Sequence, residues 1–196
     1  SNAVITFLFN IVMMSLAGEH GVAAITILLY GQFLFNAAYM GFSIGISPIV
    51  GFQYGAGNRT KLRKIYRVSF VFVAISSVAV TAAAIFFSPV IVSVFTKEQR
   101  TWELASVGFR LFAINFLFSG INIASSGFFT ALSNGKVSAL ISFSRTLVFI
   151  VISLLILPQI LGIVGAWIAV PVAEFLTLII SGWMHRKYFL VPGKQN

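Results

Sequence analysis

A single carboxyl lies deep inside an apolar stretch of this chain: Glu174, three residues after Pro171. A charge at the centre of a bilayer costs at least ~2.5 to 3.5 kcal/mol on insertion scales, so such a side chain turns to the bundle interior or to water. Placed there it could take up a proton, hold a cation or meet an amine of a substrate. It could equally be a protonated or paired carboxyl that ties its helix to a neighbour. Pro171 cannot donate to the carbonyl of Trp167, which predicts a kink about one turn from the carboxyl.

Two polar stripes accompany it. Gln32, Asn36, Tyr39, Ser43 and Ser47 recur at helical spacing and share one face, and Asn115, Ser119, Asn122 and Ser126 do the same further along. Such stripes either line a water-filled pathway or hydrogen-bond across a dry helix interface, each bond contributing ~0.6 kcal/mol. Arg145 sits about two turns inside its apolar run, near enough to the basic end to snorkel outward, with a gate or pathway role as the alternative. Glu103 and Arg110 share a helical face and are expected to pair at the membrane surface.

Catalytic constellations are missing from the sequence. It has no HExxH, no phosphate loop and no Ser, His and Asp set, and its acids number only four, so an enzyme is not expected. With no Cys and two distant histidines, a Cys- or His-based metal site of the usual spacing cannot be built, and no cofactor is implied. His20 and His185 both fall in links and are expected to be solvated.

The elements that must position these residues are six apolar runs, at about 4–17, 22–54, 67–95, 104–130, 137–157 and 163–185. A helix needs ~20 apolar residues to cross ~30 Å of hydrocarbon, and all but the first meet that length. The composition agrees, with 59% hydrophobic residues, 9% charged residues and a mean hydropathy of +1.00. The fold class read from this is an all-α integral membrane protein, a six-helix transmembrane bundle. The first run, ~21 Å of helix, is too short to span. It reads as a truncated transmembrane helix in preference to a signal-peptide core ending at Ala17. Residues 1–3 read as a tag remnant.

Charge placement orients the bundle. Arg59, Lys61, Arg63, Lys64, Arg67, Lys136, Arg145, Arg186, Lys187 and Lys194, ten of the thirteen Lys and Arg, fall at one end. By the positive-inside rule that end and both termini are cytoplasmic. The net charge of +9 follows topology, so nucleic acid is not an expected partner, whereas anionic lipid heads could meet the basic link. Trp102 and Trp167 on one side, with Trp183 and Tyr188 on the other, suit interfacial belts. Small residues at Gly41, Gly45, Gly162, Ala166, Ala169 and Ala173 predict close helix packing.

One string stands at the basic end of the second run: Gly41-Phe42-Ser43-Ile44-Gly45-Ile46-Ser47-Pro48-Ile49-Val50-Gly51-Phe52-Gln53-Tyr54-Gly55-Ala56-Gly57-Asn58. A second block comprises Gly127 to Lys136, Ser144-Arg145, Leu157-Pro158, Gly162 to Trp167 and Pro171-Val172-Ala173-Glu174. Together, in this order, they resemble the multidrug and toxic compound extrusion (MATE) family of transporters, from about Leu16 to Arg186. The resemblance implies one lobe of a twelve-helix transporter, specifically the carboxy-terminal six-helix lobe over residues 4–196, with its first helix shortened. It further implies a missing amino-terminal lobe as partner, and export of small cationic or lipophilic drugs and metabolites in exchange for protons or sodium ions. The setting implied is a plasma (inner) membrane of bacterial type. On this reading Glu174, Gln32, Asn36, Asn115, Ser119 and Asn122 face the cleft between lobes, while Pro48, Pro171 and Arg145 are structural or gating residues. The sequence departs from the family pattern at Ser47, often Gln, and at Gln53, often Asn, and has no acid within the membrane part of the first or fourth run. The alternatives are a lipid-linked saccharide flippase of the same superfamily, for which only Arg145 and Arg110 could hold a pyrophosphate, and a non-transporting membrane scaffold.

Overall fold

The structure, a computed structural model, describes residues 2–190; Ser1 and Lys194 lie outside the described residues. Among those residues every regular element is helical, as the apolar runs predict. The first element, α1 (Asn2–Gly55), is broken at Gly18, whose φ of 62° and ψ of −150° are accessible only to glycine. The chain reverses there. A Cβ built on Gly21 would lie 2.8 Å from the carbonyl oxygen of Met13, whereas residues eight apart in a straight helix are about 12 Å apart. Both arms then feed one core, Phe9 and Met13 from the first and Ile25 and Leu28 from the second.

The remaining helices are α2 (Arg59–Phe86), α3 (Ser88–Phe95), α4 (Gln99–Phe112), α5 (Phe116–Ala131), α6 (Gly135–Phe143), α7 (Phe149–Leu161) and α8 (Ile163–His185). Several differ from the runs in instructive ways. The 67–95 run is interrupted at Phe87, because Pro89 takes the first turn of a new helix. A short 3-10 turn, Ala113–Asn115, joins α4 to α5, and a five-residue wide turn, Ser144–Val148, joins α6 to α7. By length and composition five stretches could cross a membrane: Ala3–Gly55, Arg59–Phe86, Gln99–Ala131, Gly135–Leu161 and Ile163–Leu190. The first is the one divided at Gly18. α8 passes Pro171 without interruption.

Two turns at the basic end share one design. After α1, Gly57 adopts a φ of 67° while Asn58 N donates to Gln53 O and Gly57 N to Tyr54 O; after α5, Ser133 adopts a φ of 58° while Asn134 N donates to Phe129 O and Ser133 N to Thr130 O. Each is a Schellman stop followed at once by an Asn N-cap, Asn58 accepting from Lys61 N and Asn134 from Val137 N.

Helices meet where side chains are missing. Going up the second arm of α1, Gly31 meets Phe109, Phe35 stacks on Phe116 at 4.5 Å, Tyr39 lies over Gly120 and Ser43 over Gly127, so that arm and α5 run parallel. α7 and α8 form a hairpin about Gly162, whose φ is 59°, with Gly165 pressed against the backbone of Leu157. Ala166, Ala169 and Ala173 are fully buried on the inner side of α8. Gly41 and Gly45 instead face open space, so the expectation that they pack helices is corrected; Gly120 and Gly127 do that work. Trp167 is likewise corrected from an interfacial belt to the core, where it is 1% exposed and fills the space above Gly108. The outer surface of the bundle, by contrast, is apolar: Phe33, Leu34, Ile44, Phe86, Val94 and Ile160 are all widely exposed. That arrangement is expected of a surface that meets lipid.

Candidate functional site

The deepest chemistry is a four-residue network across α5, α8 and the wide turn. Asn122 of α5 donates through Nδ2 to Glu174 Oε2 at 2.8 Å and to the Glu174 main-chain oxygen at 2.9 Å. Its own Oδ1 accepts from Ser181 Oγ at 2.9 Å. Arg145 Nη1 donates to Glu174 Oε1 at 3.2 Å, an ion pair whose side chains are 16% and 2% exposed. Glu174 and Ser181 sit seven residues apart and so share one face of α8, and Asn122 bridges them. The wide turn Ser144–Val148 is what brings Arg145 to this face; such local widening and unwinding is rare inside helices and recurs at functional positions.

This geometry corrects two expectations. Arg145 turns inward to a buried partner and does not snorkel. Glu174 is 1% exposed within this bundle alone, so it does not face a cleft on the outside of the bundle. The reason is that Arg145 of the wide turn meets the carboxyl from one side and Asn122 of α5 from the other. Chemically, each carboxylate oxygen is held by a different donor, so a proton or a cation arriving at Oε1 must compete with the Arg145 guanidinium.

The other stripe residues are split. Asn115 and Ser119 are fully buried on the same helix run, Asn115 Nδ2 donating back to Phe112 O while Asn115 Oδ1 and Ser119 Oγ have no partner among the described residues. Gln32 and Asn36 are half-buried on α1, and Tyr39 and Ser43 are buried against α5. Ser126 belongs to a hydroxyl cluster with Ser138, at 2.9 Å, and Ser142, at 2.7 Å. Pro48 is exposed and Pro171 buried. The α5 stripe is therefore enclosed within the bundle from Asn115 to Asn122 and half-buried at Ser126, while the α1 stripe is half-buried at both ends, at Gln32 and Asn36 and at Ser47.

Ser181 and His185 were not singled out by the sequence as site residues. Ser181 could have been found from its spacing to Glu174. His185 is corrected from a solvated link residue to a buried one, 4% exposed, with Nε2 at 2.9 Å from Ser125 Oγ and its ring among Tyr66, Phe70, Phe128 and Phe129. Glu103 and Arg110 do not pair: Glu103 accepts from Gln99 Nε2 at 2.7 Å, and Arg110 Nε donates to Ser88 Oγ at 3.1 Å. His20 is also more engaged than a solvated residue, with Nδ1 at 3.1 Å from Glu98 Oε2 and 3.2 Å from Thr101 Oγ1.

The family model MatE matches residues 1–155, most of the chain. This chain belongs to the MATE family. Among curated relatives it is 26% identical to human multidrug and toxin extrusion protein 1 over 132 residues, which are 65% of this chain and 23% of that protein. Among solved structures it superposes on an outward-facing multidrug resistance MATE transporter of the MOP superfamily with a TM-score of 0.87 at 23% identity, covering 94% of this chain and 42% of that one. The Vibrio cholerae MATE transporter VcmN gives 0.84 at 20% identity, covering 96% and 44%. At such identities the structures establish the fold. The chain spans less than half the length of these relatives, so it is one part of the MATE architecture. Multi-pass membrane character follows from the family and from the long apolar helices.

Proposed function

We propose that this chain is the carboxy-terminal lobe of a secondary transporter that exports cationic or lipophilic drugs and metabolites in exchange for protons or sodium ions, by alternating access between two lobes. The family match over residues 1–155 supports the class. Within that class the observation that carries the mechanism is the sealed ion pair of Glu174 and Arg145. An ionisable pair held inside membrane-spanning helices is costly and rare, which makes it a functional-site candidate, and here it links three elements that a rocking lobe would have to move together.

In this reading cargo never touches Glu174. It would meet Gln32 and Asn36, at the half-buried outer end of the α1 stripe, in the cleft facing the missing lobe. Glu174 acts through packing. With its carboxylate free, Arg145 and Asn122 hold the wide turn, α5 and α8 in one arrangement; a proton or sodium ion on the carboxylate weakens the Arg145 bond and lets the wide turn relax. The differential interaction of the ion with the two arrangements is what biases the lobe orientation. The basic end lies in the cytoplasm, with both chain termini, in a plasma membrane of bacterial type.

The test is efflux of a cationic dye from vesicles holding the full-length protein, driven in turn by an imposed proton gradient and an imposed sodium gradient. Efflux that follows either gradient supports the exporter reading and names the ion. Absence of efflux under both would overturn it.

A further inference from the structure

A cavity of about 610 Å³ opens at the basic end, between the two Schellman turns. Arg59, Arg63 and Lys136 line it, together with Tyr54 and Tyr188. None of the described residues that line it is acidic, and among the described residues none of the three cations is in an ion pair. Each turn joins the C-terminal end of one helix to the Asn-capped start of the next, at Arg59 of α2 and Gly135 of α6, so the helix-end dipoles offset one another and the positive potential comes from the three side chains.

A second hollow, of about 480 Å³, adjoins it and shares Arg63 and Phe189 with it. This one leads along α2 past Phe70 to Val71 and Ala74, on the side of the bundle that faces hydrocarbon. Together the two hollows have a cationic, hydrogen-bonding head, which Tyr66 and Arg67 extend into the second, and an apolar far end at Phe70, Val71 and Ala74. A soluble anion would use only the head. The layout matches a molecule with a phosphate at one end and an alkyl chain at the other.

We propose that these two hollows together bind an anionic phospholipid, with its phosphate held by Arg59, Arg63 and Lys136 and an acyl chain laid along Val71 and Ala74. The lipid so placed would bridge the turn after α1, the turn after α5 and the start of α2. Its charge requirement follows from three cations without a counter-ion, and its chain requirement from the apolar extension.

The experiment is native mass spectrometry of the full-length protein released from nanodiscs of mixed phosphatidylglycerol and phosphatidylcholine. Wild type should retain phosphatidylglycerol selectively. The triple variant Arg59→Gln/Arg63→Gln/Lys136→Gln should lose that enrichment by about tenfold or more, since each basic residue near an anionic surface contributes several-fold. A control with the same number of neutralised charges elsewhere, Lys97→Gln/Arg100→Gln/Arg186→Gln, should keep it. Ala74→Phe, which fills the apolar hollow and leaves every charge in place, should weaken retention of the long-chain lipid and leave a short-chain phosphatidylglycerol unaffected. Enrichment that survives the triple variant, or that falls equally in the control, overturns the proposal. Displacement of the lipid by inorganic phosphate, with no effect of Ala74→Phe, overturns it in favour of a soluble anion.

Discussion

Arg145 and Glu174 each bring a charge into apolar surroundings, and each is tolerable there because the other is 3.2 Å away. Removing one partner leaves a buried charge uncompensated, at about 3–5 kcal/mol, whereas removing both leaves only lost packing. Arg145→Met in the full-length protein should therefore lower the thermal midpoint strongly, and adding Glu174→Gln to it should recover at least half of the loss. Thermal unfolding of Arg145→Met, Glu174→Gln and the double variant checks this; additive losses would mean that the pair does not interact. The sequence made both residues conspicuous, since charges inside apolar runs are rare. It did not make them partners. Spacing along one helix says which residues share a face, but nothing in Ser144-Arg145 announces the wide turn that rotates the guanidinium inward. Asn122 is legible from its helical spacing with Asn115, Ser119 and Ser126, and its bonding to Glu174 is hidden for the same reason as that of Arg145.

Helix ends and helix contacts carry the next scale. Gly120 and Gly127 allow α5 to lie against Tyr39 and Ser43, and an added Cβ would collide with Ser43 at Gly127 and with Ser77 and Tyr39 at Gly120. Replacing either by Ala should cost about 1–3 kcal/mol through overpacking, while Gly182→Ala, which meets open space, should be nearly neutral. Denaturation of the three single variants separates these outcomes, and equal effects would refute this ranking of contacts. At the opposite end from the basic turns, Glu98 caps α4, accepting from Arg100 N at 3.1 Å and Thr101 N at 2.6 Å. Hydrogen bonding by the Thr101 side chain and backbone, helped by His20, holds its carboxyl at about 2, below the usual 4.5. A depressed carboxyl stabilises above its unfolded value and loses that contribution as the pH falls from 4.5 toward 2. The gap in thermal midpoint between wild type and Glu98→Gln should accordingly be constant near neutrality and close in acid; a gap that persists at the acid limit would contradict the cap. Of these features, the Gly57-Asn58 stop after α1 can be read from the sequence; the stop after α5 falls on Ser133, which carries no glycine signal, and hydropathy alone runs 67–95 together across Pro89. The contacts of Gly120 and Gly127 cannot, because a small residue looks the same whether it faces a helix, as these do, or lipid, as Gly41 and Gly45 do.

Across the whole molecule, hydropathy fixes the class. Runs near the length of a bilayer crossing leave few alternatives to a helical bundle, and the Pro48 to Asn58 string with its basic sequel is specific enough to point to MATE transporters. What hydropathy could not give is which polar groups the bundle encloses, since that depends on how each helix is rotated about its axis. Enclosure is the decisive property here: Glu174 is buried within this bundle, so under the proposed function it would influence transport only by changing how α5, α8 and the wide turn fit together. The most direct test is gradient-driven efflux of a cationic dye from vesicles, comparing wild type with Arg145→Met/Glu174→Gln at matched insertion. If the pair couples ion binding to lobe movement, the double variant should retain dye binding while its driven efflux falls by about tenfold or more. Efflux equal to that of wild type would contradict coupling through this pair and leave it a structural tie.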